Sequence, residues 1–220
     1  MKVIKALVDN ADETSFAAKM RRNRFGLFQR LLEKVPRPIQ ILDVGGTQGF
    51  WEIMGFADEM NIQVTILNLT QPKVKYDNFT GMAGDATNLS NIQANQFDIV
   101  FSNSVIEHVG SYRNQELMAK EIHRVGKRYF VQTPNYFFPI EPHFLFLGFH
   151  WLPASARIYL IRKFKLGWVK KTPDLDEAKT LVDSIQLLKK KELIALFPQA
   201  NIYEEKLLGM TKSFVVYNAW

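Results

Sequence analysis

Apolar positions along the chain follow two rhythms. Short apolar runs occupy residues 40–43 together with Ile39, then 64–67, 97–101 and 128–131. They lack the polar alternation of a half-exposed strand and read as strands buried on both faces. Between them the spacing becomes helical, over residues 50–61 and over 113–125, where Leu117, Met118, Ile122 and Val125 share one face. A leading helix is predicted over residues 16–34, stopped by Pro36 and Pro38. Buried strands alternating with helices predict a doubly wound α/β fold with a mostly parallel sheet. Toward the C-terminus, residues 184–197 read as an amphipathic helix ended by Pro198. Two β-rich runs follow, IYEEKLL and KSFVVYNA, joined through Gly209, Met210 and Thr211. So short a link connects antiparallel neighbours, which puts one reversed strand at the far end of the sheet. Residues 135–172 fit neither rhythm and read as an insertion, a cap within a single domain spanning residues 1–220.

Composition narrows the chemistry. The chain has 220 residues, 47% hydrophobic and 23% charged, enough for one sizeable core. It has no Cys, which excludes disulfides, zinc–thiolate sites and cysteine nucleophiles, and suits a reducing, cytoplasmic setting. The leading segment MKVIKALVDNADETSF lacks the apolar core of a secretory signal. The most apolar stretch, residues 136–152, is broken by Glu141, His143 and His150 and is too short to span a bilayer. The net charge of +6 is unevenly spread. No acidic residue lies between Glu141 and Asp174, while Arg157, Arg162, Lys163, Lys165, Lys170 and Lys171 do. A basic block interleaved with aromatics is either a solvated face or a meeting point for phosphates, an anionic substrate or a membrane surface. Peripheral membrane contact therefore stays open.

The clearest chemical signal is ILDVGGTQGFWE at residues 41–52: a strand, an acid, three glycines within five positions, then a helix. Glycines there let backbone approach a ligand closely at the carboxyl end of the sheet. Gly45, Gly46 and Gly49 do not fit the G-x-G-x-x-G spacing of dinucleotide sites, and the lysine-plus-hydroxyl of a P-loop is missing.

This segment resembles the first motif of class I S-adenosylmethionine-dependent methyltransferases, the methyltransferase type 11-like branch. Asp43, Gly45 and Gly49 match, while Thr47 stands where the family has its middle glycine. The other motifs follow in the family's order. VTILNLT ends the second strand with Asn68 and Leu69, at the place of the family's ribose-binding acid. Gly84-Asp85-Ala86-Thr87 resembles the loop that reads adenine. FDIVFSNSVIEHVG resembles the fourth strand and its E-H-V exit, and RYFVQTPN the fifth. The resemblance implies a seven-stranded Rossmann-like sheet with a reversed C-terminal strand and S-adenosyl-L-methionine as cofactor. It also implies a donor site made by Asp43, Gly45, Gly46, Gly49, Asn68, Leu69, Asp85, Ala86, Asn103 and Ser104. In some relatives a basic residue before the first strand meets the cofactor carboxylate, and Arg24, with Arg21 near it, stands in that place, although a solvated helix face is the leading reading of both.

The acceptor half is less specific. His108 and His143 are the candidates for catalytic proton transfer, and Glu141, His143 and His150 for acceptor binding, because they lie after the fourth strand or among the aromatics of the insertion. His123 reads as an exposed helix residue, and no metal site is expected. The run after the fourth strand, NSVIEH, lacks the Pro-Pro-aromatic signature of amino-methylating nucleobase enzymes, which disfavours a nucleic-acid substrate of that kind. The leading expectation is methyl transfer to a small-molecule or lipid-like acceptor. An RNA or protein methyltransferase using residues 157–171 and a non-catalytic binding module are the alternatives, with a nicotinamide-dependent reductase set aside by the glycine spacing.

Overall fold

The computed structural model describes residues 16–220. The expectation about a secretory signal falls on the residues before them, outside the described range. A seven-stranded sheet forms the centre. Its strands are β1 (Ile39–Val44), β2 (Ile62–Asn68), β3 (Phe79–Ala83), β4 (Ile99–Asn103), β5 (Tyr129–Pro134), β8 (Asn201–Leu207) and β9 (Met210–Asn218). They lie in the order β3-β2-β1-β4-β5-β9-β8. The strands β3, β2, β1, β4 and β5 are mutually parallel, and β9 runs antiparallel to both β5 and β8. The reversed strand therefore lies one place in from the edge, because the hairpin folds back and inserts its second strand beside β5. Leu208 and Gly209 make that turn with φ of 51° and 81°, the left-handed pair that matches hairpin twist.

Strand residues alternate between two cores. Ile39, Ile41, Ile62, Val64, Ile66, Ile99 and Phe101 pack with Phe25 and Phe28 of α1 (Phe16–Leu32) and Trp51 of α2 (Gln48–Ile53). Leu42, Val44, Leu67, Val100, Val131 and Val216 pack on the other face. Their partners there are Met118, Ile122 and Val125 of α3 (Tyr112–Val125) and Leu193 and Leu196 of α6 (Lys190–Leu196). Apolar on both faces, the strands read as continuous hydrophobic runs.

Between β5 and α6 the chain leaves the sheet at Asn135 and returns at Leu188. These two residues form a parallel bridge, and Tyr136 N–H donates to the Leu188 carbonyl at 3.1 Å. The excursion holds the small hairpin β6 (Ile140–Glu141) and β7 (Phe146–Leu147), a 3₁₀ turn (Phe149–Trp151), α4 (Ala154–Lys163) and α5 (Leu175–Asp183). It packs around its own cluster of Phe144, Phe149, Ile161, Leu166, Ala178 and Val182.

Two predicted helices are shorter in the structure. The one expected over 50–61 ends at Ile53, where Gly55 turns at φ 84° and Phe56 N–H returns to the Trp51 carbonyl. The one expected over 184–197 starts only at Lys190. Residues before it bond to tertiary partners instead, Gln186 N–H to the Glu107 carbonyl at 2.8 Å and the Leu188 carbonyl to Tyr136. In its place the unpredicted α5 is capped by Asp174, whose side chain accepts from the Asp176 and Glu177 amides.

Candidate active site

The carboxyl ends of β1, β2 and β4 meet the glycine turn. Gly45, at φ 74°, donates its N–H to the Leu67 carbonyl at 2.8 Å, and a Cβ there would strike Val105 at 2.6 Å. Gly46 lies directly over Asp43: an added Cβ would sit 1.6 Å from Asp43 Oδ2. Thr47, the departure from the family's glycine pattern, is the N-cap of α2, its hydroxyl accepting from Phe50 N–H. Asn68 Nδ2 donates to the Gly46 carbonyl at 2.9 Å, so this side chain braces the turn from the neighbouring strand.

Asp43 is buried beneath the turn. Its Oδ2 accepts from Trp51 Nε1 at 2.7 Å, while Oδ1 has no partner. Burial pushes its pKa up to about 7, against the Trp51 bond, which lowers it. Asp85 is exposed, and its Oδ1 accepts from both the amide and the hydroxyl of Thr87 at 2.8 Å, which shapes the loop after β3.

Two cavities open at this end of the sheet. A crevice of about 400 Å³ is lined by Gly45, Asn68, Leu69, Asp85, Ala86, Ser104 and His108, among others. Of the residues expected at the donor, Asp43, Gly46, Gly49 and Asn103 are not on its wall. Asp43 and Gly46 stack beneath the turn, Gly49 belongs to α2, and Asn103 faces the second cavity. That second cavity, of about 260 Å³, lies between the sheet and the cap, with apolar walls from Pro134, Phe138, Ile140, Pro142, Leu145 and Trp168. Its polar wall carries Arg21, Arg24, Lys212, Asn103, Ser104 and Gln132. Ser104 lines both cavities, held at φ 58° with its hydroxyl donating to Gln132 Oε1 at 2.7 Å. A non-glycine residue in that conformation is held there by its surroundings.

Charge in the second cavity is unbalanced. Glu205 meets Arg24 at 3.1 Å, lies 3.8 Å from Lys212 and accepts from the Ser213 hydroxyl. Arg21 is held below the usual guanidinium range by partial burial and by the charges of Arg24 and Arg22. Arg24 and Lys212 thus share one carboxylate, and Arg21 lies on the same wall. Composition had shown a basic excess, but not that these three, from α1 and β9, converge.

The predicted catalytic and acceptor residues divide into two groups. His108 ends the 3₁₀ turn after β4, and its Nε2 lies 3.0 Å from Nε2 of His143. His143 Nδ1 is 2.6 Å from Glu141 Oε1, and Glu141 Oε2 accepts the backbone N–H of His143 and Phe144. Partial burial, with the charge of His143, pushes His108 down to about 4. Burial lowers His143 too, but its bond to Glu141 outweighs that and raises it. Beside them the sequence reading missed Glu107, fully buried with Oε2 accepting from Thr133 and Oε1 unpartnered. Its place next to His108 in the E-H-V exit was the available signal. His150 stands apart. It donates from Nε2 to the Tyr136 carbonyl and lines, with Glu141, a third cavity of about 280 Å³ inside the cap. His123 is exposed on α3, as expected, with its ring beside Tyr129 and Phe197.

Comparison with known proteins bears on residues 42–129, which match the family described as "Methyltransferase domain". None of the curated proteins matches the sequence. Among solved structures, the chain resembles the 1,6-didemethyltoxoflavin-N1-methyltransferase of Burkholderia thailandensis, whose structure holds 1,6-didemethyltoxoflavin and S-adenosylhomocysteine. The identity is 15% and the TM-score 0.54, over 98% of this chain and 84% of that one. A SAM-dependent methyltransferase from Aquifex aeolicus is 10% identical, with TM-score 0.50 over 91% and 96% of the two chains. A Rhodobacter sphaeroides protein described as a zinc-dependent alcohol dehydrogenase is 13% identical, with TM-score 0.55 over 86% of each. At these identities the likeness is one of fold.

Proposed function

We propose that this chain, a member of the class I S-adenosylmethionine-dependent methyltransferase family, transfers a methyl group from S-adenosylmethionine to a small acceptor with an apolar body and an anionic end. The observation that carries the reading is the meeting of two unlike cavities at Ser104. The larger suits the donor. Gly45 lets its wall approach closely, and Asn68 and Asp85 line it with polar atoms, while Asp43 lies buried beneath the turn. The smaller suits the acceptor, with apolar walls from the cap and a polar wall where Arg24 and Lys212 share the single carboxylate of Glu205.

When bound, the donor supplies a sulfonium methyl group that a nucleophile attacks in line. The protein's work is then mainly alignment and exclusion of water, which together can carry much of the acceleration. Ser104 and Gln132 fix the seam between the cavities, and Phe138, Ile140 and Leu145 close the acceptor side against solvent. Arg24 and Lys212 anchor the anionic end away from the seam, so that the acceptor's other end is presented to the donor. The cap's outer face suits an anionic lipid surface, since Tyr159 and Phe164 are exposed there among exposed Arg162, Lys163 and Lys165. No helix among the described residues is long and apolar enough to cross a membrane.

A thermal-shift panel tests the donor assignment. S-adenosylhomocysteine at 100 times its dissociation constant should add about 2.7 kcal/mol of stability, and NAD none. A melting temperature unmoved by S-adenosylhomocysteine, or raised by NAD instead, would overturn it.

A further inference from the structure

We infer that Glu107, His108 and His143 form a binding site for a divalent transition-metal ion of the zinc type, poised at the seam to ligate an oxygen of the acceptor. A carboxylate oxygen of Glu107 and one ring nitrogen from each histidine lie within 4.8 Å of one another. Two imidazoles and a carboxylate are the donor set of three-ligand zinc sites that keep a fourth position open. Zinc–nitrogen bonds of roughly 2.0–2.1 Å at a tetrahedral angle put two imidazole nitrogens about 3.4 Å apart. The Nε2 atoms of His108 and His143 stand at 3.0 Å, a separation that a small opening converts to that geometry.

Three further observations point to a ligand. Glu107 is fully buried, and its Oε1 has no hydrogen-bond partner while Oε2 accepts from Thr133. A carboxylate oxygen left bare in the interior is costly unless a proton, a hydrogen-bond donor or a cation completes it. His143 is oriented through Nδ1 by Glu141 at 2.6 Å, and its Nε2 faces Nε2 of His108 at 3.0 Å. A carboxylate behind a histidine is the usual way a ligating imidazole is held in its tautomer. Finally, Glu141 is itself fixed by the amides of His143 and Phe144, so the support is rigid before any ion arrives.

The position gives the site its role. His108 lines the donor crevice, and Ile140 and Pro142, flanking Glu141 and His143, line the acceptor cavity. An ion held there would lie beside the donor crevice at His108, with Ile140 and Pro142 of the acceptor wall next to its other support. The acceptor class this implies has an oxygen donor at the end that is methylated and an anionic group at the far end, near Arg24 and Lys212. That part rests on the methyltransferase reading, but metal binding does not. The sequence alone expected no metal here, because Glu107 and His108 are separated from His143 by a strand, a helix and a crossover.

Isothermal titration of the metal-stripped full chain with Zn²⁺ and, separately, Mn²⁺ tests the site without donor or acceptor. One ion per chain is expected. His143→Ala and Glu107→Gln should each weaken binding at least 100-fold. Glu141→Gln, acting through His143, should weaken it by about 10- to 100-fold, and His123→Ala should leave it unchanged. Circular dichroism and S-adenosylhomocysteine affinity check that the variants are folded. Should one variant fail to fold, the other carries the comparison. Absence of stoichiometric binding by the native chain, or equal binding by Glu107→Gln and His143→Ala, would overturn the site. Failure to bind S-adenosylhomocysteine with metal binding intact would instead remove only the acceptor role.

Discussion

A Cβ on Gly46 would lie 1.6 Å from Asp43 Oδ2, whereas one on Gly49 would meet nothing within 4 Å. The two glycines of one motif therefore answer to different constraints. Gly46→Ala should displace the turn or Asp43, destabilise the fold by about 1–3 kcal/mol and lower S-adenosylhomocysteine affinity more than tenfold. Gly49→Ala removes a helix-breaking residue from α2, and should be neutral or stabilise by up to about 1 kcal/mol. Urea denaturation with calorimetric titration of the two variants checks both outcomes. At this scale the motif as a unit was legible in the sequence, but its internal division of labour was not. Thr47 looked like a departure from the glycine pattern, and the fold uses it as a helix cap. Asn68 looked like a weakened ribose contact, and it spends its amide on the Gly46 carbonyl. Both roles depend on which backbone group ends up opposite, something periodicity does not encode.

Among the elements, α1 is tied to the C-terminal hairpin by the buried pair of Arg24 and Glu205, with Lys212 and Ser213 of β9 around the same carboxylate. Replacing Glu205 by Gln strands a buried guanidinium and a nearby ammonium without their counter-charge. The cost should be about 3–5 kcal/mol, read from urea unfolding midpoints, far above that of an exposed pair such as Arg113 with Glu116. The strands and α3 were legible because their apolar faces are long and regular. The stretch 184–197 was not, because amphipathic spacing continues through residues whose backbone groups are claimed by Glu107 and Tyr136. Tertiary bonds there override local propensity.

For the whole molecule, stability should depend on pH through Asp43. Its ordinary value of 3.8 rises to about 7 in the folded chain. Between those values the native state keeps a proton that the unfolded chain has released, so stability falls as pH rises across that window and levels off above 7. Asp43→Asn should flatten this dependence. Urea midpoints at pH 5 and pH 8 should fall further for the native chain than for the variant, and the subtraction isolates Asp43 from other titrating groups. The pairing of His108 with His143 also belongs to this scale. Each was a sequence candidate on its own, yet only the path of the chain from β4 through β5 and out into the cap places their Nε2 atoms 3.0 Å apart.

The bridge between Asn135 and Leu188 has one more implication. Some fifty residues depart from the sheet and rejoin it at neighbouring positions, carrying a small apolar cluster of their own. A graft at that junction needs to span almost no gap, so a different excursion could be spliced in while the strand order stays as it is. Under the proposed function, selectivity for what is modified diversifies by exchange of a cassette while the crevice at the strand ends stays as it is.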